Sequence, residues 1–238
     1  MRIEGRTVEG CLVSRDNRFR VTVDMDGAPV WVHLANSGRL RELLVKGSRC
    51  LVVERSGPKR ITGYDLCLVE HGGRWVSVDA RLPNDLVAEA LTRGRIQALA
   101  GYHSFRREVS YGRSRLDFEL TAPDQAPCLV EVKSVTLVAG GLACFPDAVT
   151  ARGRRHVEEL SEAIGSGYRA AVLFVVQRDD ASGFRPHDES DPEFGRALRA
   201  AARRGLEIYA YGCHVTPGSV RLGRPLPVDL RDALSQPD

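Results

Sequence analysis

The sequence lacks the features that mark membrane, secreted and zinc-binding proteins. No stretch of its 238 residues approaches the roughly 18 uninterrupted apolar residues that a membrane span needs. The N-terminal segment MRIEGRTVEG has no apolar core of a signal peptide. None of the six cysteines forms a CxxC pair, and no cysteine and histidine stand at zinc-ligand spacing. We therefore expect a soluble, cytoplasmic protein with buried, reduced thiols and no membrane partner.

Lysine is scarce, so arginine supplies most of the positive charge. The net charge is only +3, from 34 Lys and Arg against 31 Asp and Glu, and it indicates no partner by itself. The distribution is more informative, because arginines crowd between Arg93 and Arg115 and again between Arg152 and Arg155. A guanidinium offers fixed, paired donors to phosphate, so these clusters favour a nucleic-acid partner. A GC-rich genome that favours arginine codons is the alternative explanation.

The first 80 residues have the pattern of a small β-barrel. After an opening strand, strands are predicted over 18–25, 29–34 and 48–56, a short helix over 38–44, and a hairpin over 64–79 that turns at Gly72 and Gly73. About five strands with one short helix after the third favour an OB-like barrel, a fold that commonly binds nucleic acid. A barrel that only supports a second domain is the alternative.

The character of the sequence changes near residue 81, which predicts domains over 1–81 and 82–238. Helices are predicted over 82–99, 154–165 and 192–205, and strands over 104–111, 114–120, 128–138, 170–177 and 206–215, followed by a Pro- and Gly-rich tail that wraps the surface. The nearly apolar run AAVLFVVQ is typical of a strand buried on both faces. We expect an α/β fold class, or α+β for the chain as a whole, in which a mixed sheet flanked by helices follows the barrel.

Three residues carry the candidate chemistry: Asp117, Glu131 and Lys133. Glu131 and Lys133 lie two positions apart on one predicted strand, so both side chains project from the same face, while Val130 and Val132 point into the core. Asp117 lies on the preceding strand and can reach the same patch. Two neighbouring carboxylates repel each other unless a cation lies between them, and Mg²⁺ or Mn²⁺ with phosphate oxygens fits that requirement. Lys133 would then orient water or stabilise developing charge.

The spacing D-x13-E-x-K agrees with the PD-(D/E)XK nuclease pattern, in which a carboxylate and a (D/E)-x-K pair face each other across a β-hairpin. Leu116 stands at the position of the motif's proline. The predicted order of helix, three strands, helix and strand supports the pattern. The alternative is an exposed, salt-bridged strand face, which contributes little to stability.

Longer phrases carry a specific resemblance over nearly the whole chain. YGRSRLDFEL, VEVKSVTL, FPDAVTARGRRHVEEL, LFVVQRDD, HLANSGRL, LPNDLVAEAL and RPLPVDL resemble the sugar fermentation stimulation (SfsA) family. The resemblance implies an OB-like N-terminal domain, a PD-(D/E)XK-like C-terminal domain, DNA binding, and a link to regulation of sugar-metabolism genes. The stretch SGPKRITGYDL departs from the family's usual asparagine- and lysine-rich sequence.

Other residues are assigned supporting roles. Glu89, on the helix before the strands, is a candidate third metal ligand, with an exposed helix glutamate as the alternative. Gln177 is a candidate polar neighbour of the site. Contacts to DNA, mainly to its backbone, are predicted for seven residues: Arg39, Arg106, Arg113, Arg115, Arg152, Arg155 and His156. For the last three, a structural role around the helix start is the alternative. Phe19 and Trp31 are predicted to be core residues, with base stacking as the alternative.

Three functions fit these observations. The first is a DNA-binding protein with a Mg²⁺-dependent nuclease site, and the second is a DNA-binding regulator on an inactive nuclease fold. The third, a sugar-sensing protein, is suggested by the family's name, but no sugar-site pattern is visible. The sequence leaves open whether the protein is a monomer or a dimer.

Overall fold

A computed structural model of the chain describes residues 1–58 and 60–231. Its strands are β1 (Thr7–Asn17), β2 (Arg20–Met25), β3 (Ala28–His33), β4 (Arg49–Glu54), β5 (Tyr64–His71), β6 (Arg74–Ser77), β7 (Ser104–Tyr111), β8 (Ser114–Ala122), β9 (Gln125–Val135), β10 (Val138–Ala139), β11 (Leu142–Phe145), β12 (Arg169–Val176), β13 (Gly183–Pro186), β14 (Glu207–Thr216) and β15 (Ser219–Leu226). The α-helices are α1 (Leu82–Thr92), α2 (Ala151–Gly165) and α3 (Pro192–Arg203), and a 3₁₀ turn spans Gln97–Leu99. Among the described residues, no helix has the length and apolar character needed to cross a membrane.

The N-terminal unit is the predicted barrel. Its strands are ordered β3-β2-β1-β4-β5-β6, and a bridge between His33 and Asp65 brings β3 back to β5. Alternating apolar residues of these strands fill the interior, among them Leu12, Val21 and Val32. The hairpin prediction is confirmed, because Gly72 and Gly73 both adopt positive φ angles between β5 and β6.

The helix predicted over 38–44 is wrong. Leu40 has a φ of 50°, and its carbonyl accepts from the N–H groups of both Leu43 and Leu44, which makes one tight turn. A tertiary contact holds this conformation, since the Leu40 N–H donates to Asp147 Oδ2 at 3.2 Å.

The second unit is built on a mixed sheet in the order β15-β14-β12-β9-β8-β7. The apolar run predicted to be buried forms β12, which pairs in parallel with both β9 and β14. Helices α2 and α3 cover one face of this sheet, and α1 together with the barrel covers the other. The predicted fold class is thus confirmed, with an OB-type barrel followed by a mixed sheet and flanking helices.

Helix α1 and the tail differ from their predictions. Helix α1 begins at Leu82 as predicted, but it ends at Thr92 and not at 99, ahead of Gly94 with its φ of 61°. The tail is not only a surface wrap, because Ser219–Leu226 adds an antiparallel edge strand to the sheet. The rest of the predicted tail, 232–238, lies outside the described residues, and the domain division at residue 81 stays a prediction.

Candidate active site

Strand β9 presents Glu131 and Lys133 on one face, as the alternation predicts. The Lys133 ammonium donates to Glu131 Oε1 at 2.7 Å, and this face of the sheet packs against α2. Val130 and Val132 project from the other face into the core beneath α1. Glu131 is only 4% exposed, so the pair forms a buried charge cluster and not a solvated strand face.

Asp117 joins this cluster because β8 and β9 separate beside it. Their register stops at Phe118 opposite Val130, so the next backbone N–H of β9 has no carbonyl partner on β8. The Asp117 carboxylate takes that place, since its Oδ2 accepts from the Val132 N–H at 2.7 Å. Its Oδ1 accepts from the Asn84 amide of α1 at 2.6 Å. The strand separation thus fixes Asp117 beside the β9 residues.

The two carboxylates have opposite pKa shifts. Burial, followed by repulsion from Glu131, raises the pKa of Asp117 to about 6. Burial also opposes ionisation of Glu131, but the Lys133 charge and the hydrogen bond from His156 outweigh it and hold the pKa of Glu131 below its ordinary value. At neutral pH both groups are therefore anionic, and Asp117 is the one whose charge is poorly compensated.

His156 is the third partner of Glu131, and this role differs from its predicted contact with DNA. It lies on α2, is 2% exposed, and its Nδ1 lies 2.5 Å from Glu131 Oε1. Its Nε2 accepts from Arg152 Nε at 3.3 Å, so Nδ1 carries the proton that is donated to the glutamate. The prediction that His156 touches DNA is therefore wrong, because the apolar face of α2 buries the imidazole inside the protein.

Glu89 is not brought to the cluster. Its carboxylate pairs with the Met1 amino group at 3.2 Å and with Arg93 at 2.9 Å, and it lies more than a helical turn beyond Asn84. Asn84 is the α1 side chain that contacts Asp117. Asn84 was not predicted as a site residue, although its place in the LPNDLVAEAL phrase was a usable signal.

Gln177 lies on the opposite face of the sheet from Glu131 and Lys133, so its prediction as a site neighbour is wrong. Its amide accepts from Ser77 Oγ of the barrel at 2.9 Å and donates to Ser134 Oγ of β9 at 2.9 Å. The buried amide therefore connects the two units of the protein. Gln177 directly follows Val176, the last residue of β12, and a one-residue offset decides its face, which composition alone does not reveal.

The arrangement of donors fits a hard divalent cation. Glu131 Oε2 is buried and has no hydrogen-bond partner, while Oε1 already receives Lys133 and His156. A buried carboxylate oxygen without a partner is costly, and a cation shared with Asp117 would satisfy it. Within residues 1–58 and 60–231, no group of three or more His, Cys, Asp or Glu side chains is placed to hold a metal. The protein thus offers two carboxylates, as Mg²⁺ sites completed by water and phosphate do.

Four of the six predicted arginines lie at the β7–β8 turn and the start of α2. Arg113 and Arg115 flank the β7–β8 turn, and Arg155 on α2 reaches this turn through Ser114 Oγ at 3.4 Å, so the two sequence clusters meet beside the site. We call the exposed residues Arg113, Arg115, Arg152 and Arg155 the arginine patch. Arg106 lies elsewhere on β7, and its guanidinium pairs with Glu119. Glu108 of β7 pairs with Arg115 at 3.4 Å.

A cleft between the barrel and the second unit was not predicted. It has a volume of about 260 Å³ and is lined by Asn36, Ser37 and Gly38 of the barrel and by two segments of the sheet domain, 134–137 and 144–150. Asp147 closes one side of it and contacts the barrel through Leu40. Arg39, predicted to bind DNA, lies next to this contact in an adjoining depression. The phrases HLANSGRL and FPDAVTARG were the available signal, because they meet here.

Comparisons with known proteins agree with this architecture. The chain matches the domain described as SfsA N-terminal OB domain over residues 13–78 and the Sugar fermentation stimulation protein RE domain over residues 81–219. It is 50% identical over 233 residues to the sugar fermentation stimulation protein homolog of Symbiobacterium thermophilum, covering 92% of this chain and 93% of that protein. The homolog of Moorella thermoacetica is 46% identical over 225 residues, covering 94% and 97%.

A solved structure extends the comparison to the fold. The structure of Pyrococcus furiosus SfsA in complex with Ca²⁺ superposes with a TM-score of 0.89 at 29% sequence identity, covering 96% of this chain and 98% of that one.

Proposed function

This chain belongs to the SfsA family, and from that premise we propose that it binds DNA and hydrolyses phosphodiester bonds at Asp117, Glu131 and Lys133 with Mg²⁺ or Mn²⁺. The observation that carries the proposal is the buried, unpartnered Glu131 Oε2 beside a second carboxylate whose pKa is raised. The Ca²⁺ in the P. furiosus relative supports a hard cation at this fold. Regulation of sugar-metabolism genes stays a prediction.

The residues divide the work by their contacts. Asp117 and Glu131 would hold the cation, which when bound neutralises negative charge that develops on the phosphate. Lys133 lies at the rim of the cluster with a side chain that is 11% exposed, so its ammonium is available to orient water or to stabilise the same charge. His156 fixes the rotamer of Glu131 and thereby keeps Oε2 directed away from Lys133. The arginine patch would bind the DNA backbone.

A cleavage assay with matched variants tests the proposal. Supercoiled and single-stranded DNA are incubated with Mg²⁺ or Mn²⁺ and the wild-type protein, Glu131→Gln or Glu158→Gln. Glu131→Gln keeps the size of the side chain but removes its charge, so we expect cleavage to fall by about 10³-fold or more with DNA binding retained. Glu158, an exposed glutamate of α2, provides the control and should behave as wild type. Cleavage that persists in Glu131→Gln would indicate a contaminating nuclease and refute the assignment.

A DNA-binding regulator on an inactive nuclease fold is the second candidate. The observation in its favour is that, among the described residues, no third acidic or histidine side chain is placed to hold a metal together with Asp117 and Glu131, since the nearby His156 donates its proton to Glu131. This function predicts salt-dependent DNA binding in which no metal produces cleavage, and in which Glu131→Gln has no effect on binding. The same set of variants therefore separates the two candidates.

A further inference from the structure

Two large aromatic side chains of the barrel lie on its outside, against the prediction that they are core. Phe19, in the β1–β2 turn, is 48% exposed, and Trp31, on β3, is 54% exposed. Trp31 stands opposite Thr22 in the β2–β3 ladder, three residues from Phe19, so the two side chains are separated by roughly 10 Å along the strand direction. Apart from the bridge at His33, β3 has no partner on its outer edge among the described strands. Both rings are thus accessible at one corner of the barrel.

Arginines accompany both rings. The Arg20 guanidinium lies 4.3 Å from the centre of the Trp31 ring, and that of Arg18 lies 5.5 Å from the centre of Phe19. Arg15 ties the neighbouring loops together, because it donates to the carbonyls of Arg18 at 3.0 Å and Arg39 at 2.5 Å.

We call Arg18, Phe19, Arg20, Trp31 and Arg39 the aromatic corner. Asp16 pairs with Arg20 at 3.2 Å, and Asp24 lies one step along the same face, so the corner carries a partly balanced but net positive charge.

The aromatic corner continues into the cleft between the two units. Arg18 lines this cleft together with polar groups of the barrel, Asn36 and Ser37, and with Ser134 of β9. Ser134 directly follows Lys133 in the chain. The cleft therefore reaches β9, the strand that carries the proposed catalytic residues, although the Ser134 side chain lies on the opposite face from Lys133.

We propose that the aromatic corner binds single-stranded DNA, with bases stacked on Phe19 and Trp31 and with phosphates contacting Arg18, Arg20 and Arg39. This inference rests on the proposed function, because it names the form of DNA that the site receives. Every unpaired base offers an aromatic face for stacking, whereas the bases of a duplex already stack on one another. Exposed aromatic rings beside arginines therefore favour a single strand over a duplex.

Binding without metal tests this inference independently of cleavage. Fluorescence anisotropy in EDTA compares a 15-nucleotide oligothymidine with a duplex of the same length for wild type, the double variant Phe19→Ala/Trp31→Ala, and Ile61→Ala. Ile61, 89% exposed on the same barrel, is the matched control. We expect the double variant to lose about tenfold to hundredfold in affinity for the single strand. Its duplex affinity, and both affinities of Ile61→Ala, should change less than twofold.

A spectroscopic measurement reads the stacking directly. The chain has two tryptophans, so Trp75→Phe leaves Trp31 as the sole tryptophan emitter. The single strand should quench its emission, and the duplex should not. Equal losses for both forms of DNA, no loss in the double variant, no quenching, or a wild type that does not bind the single strand would each overturn the inference. A protein that binds through the aromatic corner but never cleaves would refute only the nuclease assignment.

Discussion

The two units of this protein place their functional side chains in opposite environments. The barrel exposes Phe19 and Trp31 to solvent, whereas the mixed sheet buries Glu131 and His156 in a charged cluster. Exposed groups cost the fold little, so the barrel can present a binding surface without loss of stability. Buried charges oppose folding unless they are paired, so the sheet domain must surround its site with a large apolar core.

The largest expected effect is the loss of stability when a side chain is removed from the core that supports the site. Phe174 of β12 is fully buried, and its ring stacks on that of Phe184 with 4.0 Å between the ring centres. Phe174→Ala leaves a cavity there and should lower the free energy of unfolding by about 3–5 kcal/mol. Trp31→Ala removes a still larger ring from the surface of the barrel and should lower the free energy of unfolding by about 1 kcal/mol or less. Urea unfolding measures both free energies of unfolding. Equal losses in the two variants would contradict the contrast between a buried core and an exposed binding surface.

The next effect concerns the cost of the buried charge on Asp117. Because the folded pKa is raised to about 6, the fold favours the protonated acid, and this stabilisation is lost as pH rises through 6. Asp117→Asn cannot ionise, so it should be more stable than wild type by about 2–3 kcal/mol at pH 7.5 without divalent ions. The difference in the free energy of unfolding between Asp117→Asn and wild type should shrink toward zero near pH 4.

Parallel urea titrations of both proteins at pH 4.5, 6 and 7.5 check this prediction. The difference isolates Asp117, since the other groups titrate alike in the two proteins. Addition of Mg²⁺ should stabilise wild type and narrow the gap at pH 7.5. A stability difference that is independent of pH, or a variant that is less stable than wild type at pH 7.5, would show that burial does not destabilise the charged form of Asp117.

Mutation of His156 tests how the buried cluster positions Glu131 for metal binding. Loss of its hydrogen bond frees the Glu131 carboxylate to rotate, so His156→Ala should weaken Mg²⁺ binding and cleavage by about tenfold to hundredfold. His156→Asn keeps an N–H near the position of Nδ1 and should recover part of both. Calorimetric metal affinity separates this positioning role from a loss of folding, which thermal melts monitor. His103→Ala, at an exposed histidine, serves as the control.

The smallest effect belongs to the arginine patch. Arg155→Ala should weaken binding of any DNA by only about two- to fivefold and lower the slope of log affinity against log salt by about 1. Arg49→Ala, on the barrel, tests whether general positive charge has the same effect, and it should leave the slope unchanged. A steeper salt dependence in Arg155→Ala would exclude a phosphate contact at this position.

The parts of the site that follow from local geometry could be predicted. Alternation along β9 places Glu131 and Lys133 together, and the hairpin brings Asp117 beside them. His156 could not be assigned its partner, because its contact with Glu131 depends on how α2 docks on the sheet. Phe19 and Trp31 were assigned to the core because alternation does not reveal which face of a barrel strand points inward. Leu40 was predicted to be helical, but Asp147, more than 100 residues away, fixes its turn.

A Ca²⁺ titration by calorimetry tests the central proposal most directly, since it needs neither DNA nor turnover. Wild type should bind Ca²⁺ at pH 7.5, and the affinity should fall as pH is lowered through about 6, where protonation of Asp117 competes with the cation. Glu131→Gln should lose the binding heat, and Glu158→Gln should retain it. Binding of Ca²⁺ by Glu131→Gln as tightly as by wild type would contradict a cation site between Asp117 and Glu131.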